Sequence, residues 1–235
     1  MISTASKEKK FYFAVSLFIM LLCNRIIFTL GHILGQGRLH YDLSIPADAL
    51  FPFMPWTILI YDGFNLWFLI MYWEVAQRER READRFFCSQ LLAKAISFLF
   101  FVFLPTAIIR PQQNGDSIWM GLLRHLYRVD TPDNLFPSIH CVLGWHCWIA
   151  VRGKKDLPLW FRGSSLLMAL AVCLSTLTVR QHVLLDVFAG VLLSEICHRI
   201  SEIQPVYSLY ARLVDRLTGN IIPIQERCCN EREYN

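Results

Sequence analysis

Six apolar stretches, separated by short polar segments, dominate this chain of 235 residues. A bilayer core about 30 Å thick needs roughly 20 helical residues to cross it, and most of the stretches approach that length. Within lipid, every peptide group must find its hydrogen-bond partner inside the protein, so such a stretch is helical. The predicted spans cover residues 11–34, 55–75, 86–109, 139–151, 157–179 and 182–200.

The composition agrees with a membrane location, because 54% hydrophobic residues and a mean hydropathy of +0.37 exceed what soluble domains usually show. With no internal repeat, the sequence predicts an all-α fold, a polytopic membrane helical bundle with about six transmembrane helices. It forms a single domain over residues 1–235. The fourth span is short. This span could begin upstream at Pro137, since proline suits the first turn of a helix. Its shortness is consistent with a helix whose outer end lies inside a polar cavity.

Basic residues collect in the loops on one side of the six predicted spans, as is the rule for cytoplasmic loops. Both termini are therefore predicted to be cytoplasmic, with residues 201–235 as a tail, in a multi-pass protein of the cell membrane. The first stretch is too long for a cleavable signal peptide and is expected to remain as an anchor. The predicted cytoplasmic set is Lys7, Lys9, Lys10, Arg78, Arg80, Arg81, Arg85, Arg152, Lys154, Lys155, Arg162, Arg199, Arg212 and Arg216, and the opposite set is Arg38, Arg110, Arg124, Arg128 and Arg180.

The eight cysteines lie mostly within the predicted spans or on the cytoplasmic side, so no disulfide framework is expected. Cys228 and Cys229 are adjacent near the end of the chain. Without other context such a pair is weak evidence for a metal site or a lipid anchor, and unmodified thiols are expected.

Two segments about forty residues apart carry the chemistry, and each stands where an apolar helix is predicted to begin. The first, residues 134–140, reads Asn-Leu-Phe-Pro-Ser-Ile-His, and the second, residues 180–186, reads Arg-Gln-His-Val-Leu-Leu-Asp. Residues four apart share a helix face, so Asp186 is expected to hold one nitrogen of His182 and leave the other free to attack. Ser138, His140 and backbone N–H groups at a helix start suit an anion. The pattern indicates phosphoryl transfer.

These residues resemble the signatures of the type 2 phosphatidic acid phosphatase superfamily, the lipid phosphatases related to vanadium haloperoxidases. Pro-Ser-Ile-His at 137–140 is similar to the second signature, and His182 and Asp186, followed by Val-Phe-Ala-Gly, are similar to the third. Arg110 with Pro111 resembles the end of the first. The resemblance covers roughly residues 50–200. It implies a hydrolase of lipid metabolism, a phosphatase or a phosphotransferase, that works through a phosphohistidine.

Two positions depart from the signatures of the superfamily. The Lys expected seven residues before the Arg of the first signature is Phe103 here, and the Arg expected six before the His of the third is Thr176. Ser-Thr at 175–176, with Arg-Gln-His at 180–182, is closer to the branch that includes inositol phosphorylceramide synthase-like and other phosphotransferase-like members. Arg180 is the candidate replacement for the missing cation.

The resemblance also implies a role for each matching residue. His182 is the nucleophile, Asp186 fixes its tautomer, and His140 protonates the leaving oxygen. The phosphate-binding residues are Ser138, Arg110 and, as a second cation, Arg180. The phosphohistidine then meets water, as in a phosphatase, or an alcohol, as in a lipid phosphotransferase. The sequence leaves both reactions open.

The expected substrate is a phosphorylated lipid or isoprenoid, approached from the non-cytoplasmic face among membrane lipids. No cofactor, metal or nucleic-acid partner is expected, and the oligomeric state is left open. A metal site is the rival explanation of the histidines, since His140-Cys141 recurs as His146-Cys147. Six helical residues rotate by about 240°, however, so the two pairs face different ways. A non-catalytic lipid transporter is the alternative from another class, and it leaves His140, His182 and Asp186 unexplained.

Two further expectations concern the rest of the chain. Residues 117–129 have the apolar periodicity of an interfacial helix at headgroup depth. Arg25, Asp62 and Lys94 fall inside predicted spans, where a lone charge is costly. The simplest arrangement pairs Asp62 with Arg25 or with Lys94, and the alternative is a polar path.

Overall fold

The computed structural model describes residues 4–218, and this range is helical without a β-strand, which confirms the all-α prediction. Two isolated β-bridges, Tyr41 with Thr106 and Ala107 with Asp133, join the loops. Eight α-helices fill the described range, with short 3-10 helices at Pro46–Leu50 and Pro55–Thr57. The α-helices are α1 Thr4–Gly35, α2 Ile58–Gln77, α3 Arg80–Phe103, α4 Ile118–Val129, α5 Ile139–Val151, α6 Leu159–Thr178, α7 Leu184–Ser201 and α8 Gln204–Thr218.

Local chemistry explains several of these boundaries. Ser117 and Ser138 cap α4 and α5, because their hydroxyl oxygens accept the N–H groups of Met120 and Cys141. Helix α3 ends just before Leu104, whose successor Pro105 disfavours a helical conformation at the preceding residue. Because Ser138 is its cap, helix α5 begins at Ile139, and Pro137 lies outside it.

Three helices of the described range are long and apolar enough to cross a membrane: Lys7–Gly35 within α1, Arg80–Phe103 and Leu159–Thr178. Ile139–Val151 is apolar but shorter, with 13 residues. The prediction of membrane helices is thus supported for part of the bundle, while the count of six spans is not confirmed. The cap at Ser138 sets the start of the short helix α5 at Ile139.

Aromatic side chains build the core between α1, α2, α3, α5 and α8. Tyr72 lies edge-on to both Phe86 and Phe87, with ring centroids 5.7 and 5.1 Å apart. Phe87 in turn stacks on Tyr210 of α8 at 5.9 Å. Such pairs are worth about 0.5–1.5 kcal/mol beyond the area they bury, so they fix the relative rotation of the helices.

The basic loops meet at one end of the bundle. Arg78, after α2, pairs with Asp156 before α6, and Lys154 pairs with Glu82 of α3. The guanidinium of Arg85 donates to the carbonyl of Glu202 after α7. The loops that the sequence groups as cytoplasmic are therefore neighbours, and the segments 134–140 and 180–186 lie at the opposite end.

Helix α8 occupies the first part of the predicted tail. It packs along the start of α3, where Asp215 accepts from Arg80 at 3.2 Å and Cys88 donates to the carbonyl of Val206 at 3.5 Å. The remainder of the tail, with Cys228 and Cys229, lies outside the described residues. The six cysteines within them are free thiols.

The expected pairing of Asp62 is wrong, since no ion pair joins it to Arg25 or Lys94 among the described residues. Arg25 and Asp62 are both exposed on the outside of the bundle. Lys94 is only 2% exposed, and its ammonium donates to the carbonyl of Met20 at 3.2 Å. Packing turns the three residues in different directions, which the sequence positions alone did not reveal.

Helix α4 forms over nearly the residues expected for the interfacial helix. Its apolar residues divide, however, between two faces: Met120, Leu123 and Tyr127 are buried against the protein, whereas Ile118 is 70% exposed and Leu122 is 40% exposed. One face thus holds the helix to the bundle, and the other is exposed.

Candidate active site

The two chemistry-bearing segments meet at the N-terminal ends of α5 and α7. The N–H of Ser138 donates to the backbone carbonyl of Asp186 at 3.1 Å. A Cβ added at Gly190 would stand 2.7 Å from the carbonyl oxygen of Ser138 and 3.1 Å from Cβ of Cys141. Only glycine permits this approach of the two helices, so it explains why Gly stands at this position of α7.

His182 and Asp186 form the predicted pair, although His182 does not lie on the helix that carries Asp186. Helix α7 begins at Leu184, so His182 lies in the preceding turn, where its N–H donates to the carbonyl of Thr176 at 3.2 Å. Nδ1 of His182 is 3.2 Å from Oδ2 of Asp186, and the N–H of Val183 donates to the same oxygen at 3.0 Å. The capping position of Asp186 therefore aims its carboxylate back at the imidazole.

The environment of this pair selects one tautomer. Asp186 is 1% exposed and His182 is 7% exposed. A carboxylate only accepts, so Nδ1 of His182 carries the proton, and Nε2 keeps its lone pair. No described residue hydrogen-bonds Nε2. The result is an oriented imidazole with its nucleophilic nitrogen open.

His140 stands beside His182, at the start of α5. The two ring centroids are 6.1 Å apart and the rings are inclined at 57°. Nδ1 of His140 is 3.1 Å from the hydroxyl of Tyr61 in α2, and these two rings lie 4.2 Å apart. A phosphorus atom bound to His182 would thus have a second imidazole within reach of its leaving oxygen.

Ser138 is fully buried, with its hydroxyl oxygen 3.4 Å from the N–H of Cys141. This contact makes it the cap of α5. The cap uses an oxygen lone pair and leaves the hydroxyl proton for an acceptor. The free N–H groups of the first helical turn point the same way, so the end of α5 offers donors to an anion.

Arg110 reaches the site from the loop that follows α3. Its guanidinium lies 4.3 Å from the ring centroid of Tyr127 and donates to the carbonyl of Tyr127 at 2.9 Å and to Oε1 of Gln181. Its Nε is buried and has no partner among the described residues. Burial lowers the pKa of Arg110 from its ordinary value, and the charge of Asp130 opposes that shift, so Nε is the donor that remains for a bound anion.

Arg180 takes a different position. Its backbone has φ 54°, and its guanidinium donates to the carbonyls of Asp48 at 3.2 Å and Phe51 at 2.7 Å. It thereby fastens the segment 48–51 to the turn before His182. Arg110, Arg180, Asp48 and Val183 line one cavity of about 230 Å³, so the two arginines face a common space.

Phe103 and Thr176 stand at the two positions where the family signatures have a Lys and an Arg, and neither side chain carries a charge. Phe103 is 73% exposed at the end of α3. Thr176 is fully buried, and its carbonyl accepts the N–H groups of Gln181 at 3.0 Å and His182 at 3.2 Å. Thr176 therefore serves as the anchor of the turn that carries His182.

Several residues of the site gave no signal in the sequence. Asp48 accepts the N–H of Leu184 at 2.7 Å, which caps α7 from a distant loop. Gln181 is 1% exposed and donates to Oδ2 of Asp130 at 3.1 Å. The hydroxyl of Tyr61 donates to the same oxygen at 3.4 Å. Asp130 is close in sequence to the 134–140 segment, which is a signal for a role at the site, but no sequence feature indicated its contact with Tyr61.

His146, the other histidine of the repeated His-Cys pattern, has its hydrogen-bond partner within α5 and not in this cluster. It is fully buried, and its Nδ1 is 2.8 Å from the carbonyl of Val142 within α5. Among the described residues no group of three or more His, Cys, Asp or Glu side chains is arranged to hold a metal ion.

No protein-family model, no curated protein and no solved structure matches this chain.

Proposed function

We propose that this chain is a membrane enzyme of the type 2 phosphatidic acid phosphatase kind, which moves the phosphoryl group of an amphiphilic phosphate ester onto His182. The observation that carries the proposal is the imidazole of His182, whose Nδ1 is held by the buried carboxylate of Asp186 and whose ring centroid lies 6.1 Å from that of a second imidazole, His140. One oriented nucleophile beside one proton donor is what a two-step displacement requires.

The first step of the reaction breaks the ester bond. Nε2 of His182 attacks phosphorus, the P–O bond to the leaving group breaks, and His140 gives that oxygen a proton. Asp186 stabilises the imidazolium-like His182 as its charge develops. Arg110, the hydroxyl of Ser138 and the first N–H groups of α5 stabilise the charge on the equatorial oxygens, and Arg180, which lines the same cavity as Arg110, is the second cation.

The second step releases the phosphoryl group from His182. The attacking oxygen, from water or from an alcohol, gives its proton to His140, and the P–N bond breaks. Water yields free phosphate, which is the phosphatase reaction and the primary proposal. An alcohol yields a new ester, which is the lipid phosphotransferase reaction. The two differ only in what reaches the phosphohistidine.

An arrangement of six spans suits this chemistry. In it α1, α2, α3, α5, α6 and α7 cross the membrane, the basic loops are cytoplasmic, and the site opens on the non-cytoplasmic face. It is supported by the clustering of the basic loops at the end of the bundle opposite to His182. The outward face of α4 then lies at headgroup depth beside the site.

An apolar cavity of about 440 Å³ supports a substrate with a hydrocarbon chain. It runs between α2 and α6, where Leu59, Gly63 and Trp67 face Leu167 and Ala171. Leu59 and Tyr61 lie within one turn of α2 but on different faces, Leu59 exposed and Tyr61 buried, so the groove is at the depth of the site along the helix. We propose that one chain of a phosphorylated lipid or isoprenoid lies in this groove.

The test uses purified protein with a panel of lipid and isoprenoid phosphates, with and without alcohol acceptors. We expect released phosphate without acceptor, a phosphoryl group transferred to the alcohol if an acceptor competes, and a radiolabelled phosphoenzyme that is lost in acid and stable in alkali. His182→Ala should abolish the label. His125→Ala, which changes an exposed histidine of α4, is the matched control. Turnover that survives in a folded His182→Ala protein would refute the proposal.

A further inference from the structure

Behind His140 lies a chain of polar groups drawn from three separate parts of the sequence. Nδ1 of His140 is 3.1 Å from the hydroxyl of Tyr61, and this hydroxyl donates to Oδ2 of Asp130 at 3.4 Å. The same carboxylate oxygen accepts from Gln181 at 3.1 Å. Tyr61 belongs to α2, Asp130 to the turn after α4, and His140 to α5.

We propose that Tyr61 and Asp130 are positioning residues that set the tautomer of His140 and stabilise its protonated form, as Asp186 does for His182. The inference rests on the proposed function and goes further, because it gives the second histidine its own carboxylate, relayed through a phenol.

The direction of the hydrogen bonds fixes the tautomer. A phenol carries one proton, and Tyr61 uses it toward Asp130, which as a carboxylate can only accept. The phenol oxygen must then accept from His140, so Nδ1 of His140 carries the proton. Nε2 is left with its lone pair, and the ring stands beside His182, with centroids 6.1 Å apart, where a proton has to be taken up or delivered. Hydrogen bonds of this kind are often long before substrate binds.

The relay serves both steps without itself losing or gaining a proton. In the first step the Nε2 proton of cationic His140 passes to the leaving oxygen, and Nδ1–H stays on the phenol. In the second step the attacking water or alcohol returns a proton to Nε2 while the P–N bond to His182 breaks. The negative charge of Asp130, passed on through the polarised phenol, favours the cationic form that the first step consumes.

The surroundings of Asp130 suit a carboxylate that works through a neighbour. Burial raises the pKa of Asp130 above its ordinary value, and the nearby charges of His182 and Arg110 oppose that rise. The other acid facing it is Asp133, which comes from the same turn. The groups that face His140 are Tyr61 and His182.

The first variant is Tyr61→Phe, which removes the hydroxyl and keeps the ring that packs on His140. We expect kcat on a lipid phosphate to fall about tenfold to a hundredfold, the loss that partners of a positioned histidine usually cause, with KM little changed. Tyr72→Phe is the matched control. It removes the hydroxyl of another buried tyrosine of α2, bonded to Gln90, about three helical turns from the site.

A double-mutant cycle separates action through His140 from any other effect. If Tyr61 acts only through His140, then Tyr61→Phe should have no further effect on kcat in a His140→Ala background. A second loss of the same size in that background would overturn the proposal, since the hydroxyl would then bind substrate or hold the fold.

Asp130→Asn provides the pH readout. With the negative charge gone, the cationic form of His140 is less stable, so the high-pH limb of the kcat/KM profile should move to lower pH. Tyr61→Phe should move it the same way, and Tyr72→Phe should not. An unmoved limb in both site variants would overturn the relay. That outcome is distinct from failure of the proposed function, which would appear as turnover in His182→Ala.

Discussion

The contact between Gly190 and Ser138 gives the sharpest test of how the site is assembled. In Gly190→Ala the new Cβ would stand 2.7 Å from the carbonyl oxygen of Ser138, whereas ordinary contacts begin near 3.4 Å. The helices must therefore separate by about 0.7 Å, the difference of these two distances. The opposing atom is backbone, so no side-chain rotation can relieve the clash.

Two effects of opposite sign then compete in Gly190→Ala. Alanine favours a helix over glycine by about 1 kcal/mol, and overpacking costs about 1–3 kcal/mol. The net change in stability is thus a modest loss. The geometric effect is larger, because a misplacement of about 1 Å at a reacting centre can cost about a hundredfold in rate. We expect kcat to fall at least about tenfold, while the melting temperature in detergent drops by only a few degrees.

Gly163→Ala in α6 is the matched control, because a Cβ added there meets no atom within 4 Å. It should keep full turnover and gain slightly in thermal stability. The assay measures phosphoenzyme formation and steady-state turnover beside a melting curve for each variant. If Gly190→Ala equals Gly163→Ala in all three measurements, the close approach of α5 and α7 is not what assembles the site.

Three further predictions test other parts of the proposal. With a p-nitrophenolate leaving group, which needs little protonation, His140→Ala should recover much of its rate of p-nitrophenolate release in the first turnover and His182→Ala none. Equal recovery would refute the division of roles. In intact cells an impermeant thiol reagent should label Asp116→Cys and spare Lys155→Cys, and the reverse pattern would place the site inside. Gly63→Leu should raise KM for a long-chain lipid phosphate about tenfold, because the new side chain would displace about two methylene groups of the lipid, at about 0.8 kcal/mol each. KM for a short soluble ester should not change, and equal effects on both substrates would exclude the groove as the lipid site.

The sequence by itself determined the features that depend on composition or on residues within one helical turn of each other. The apolar runs predicted helices, and helices form at all six places, with α5 at the expected residues 139–151. Ser138 was expected at a helix start, where it caps α5, and the spacing of His182 and Asp186 predicted their contact. These signals are local because helix capping and the helical repeat involve atoms only three or four residues apart.

Only the tertiary structure decided which distant side chains share the site. Tyr61 and His140 are 79 residues apart in the chain, and Asp48 and Leu184 are 136 apart, so no periodicity relates them. The same holds for Lys94, which faces α1 instead of Asp62. The rotation of each helix about its axis is set by packing across its whole length. In a bundle of apolar helices many rotations bury similar area, and the close contacts, such as that of Gly190 with Ser138, select one of them.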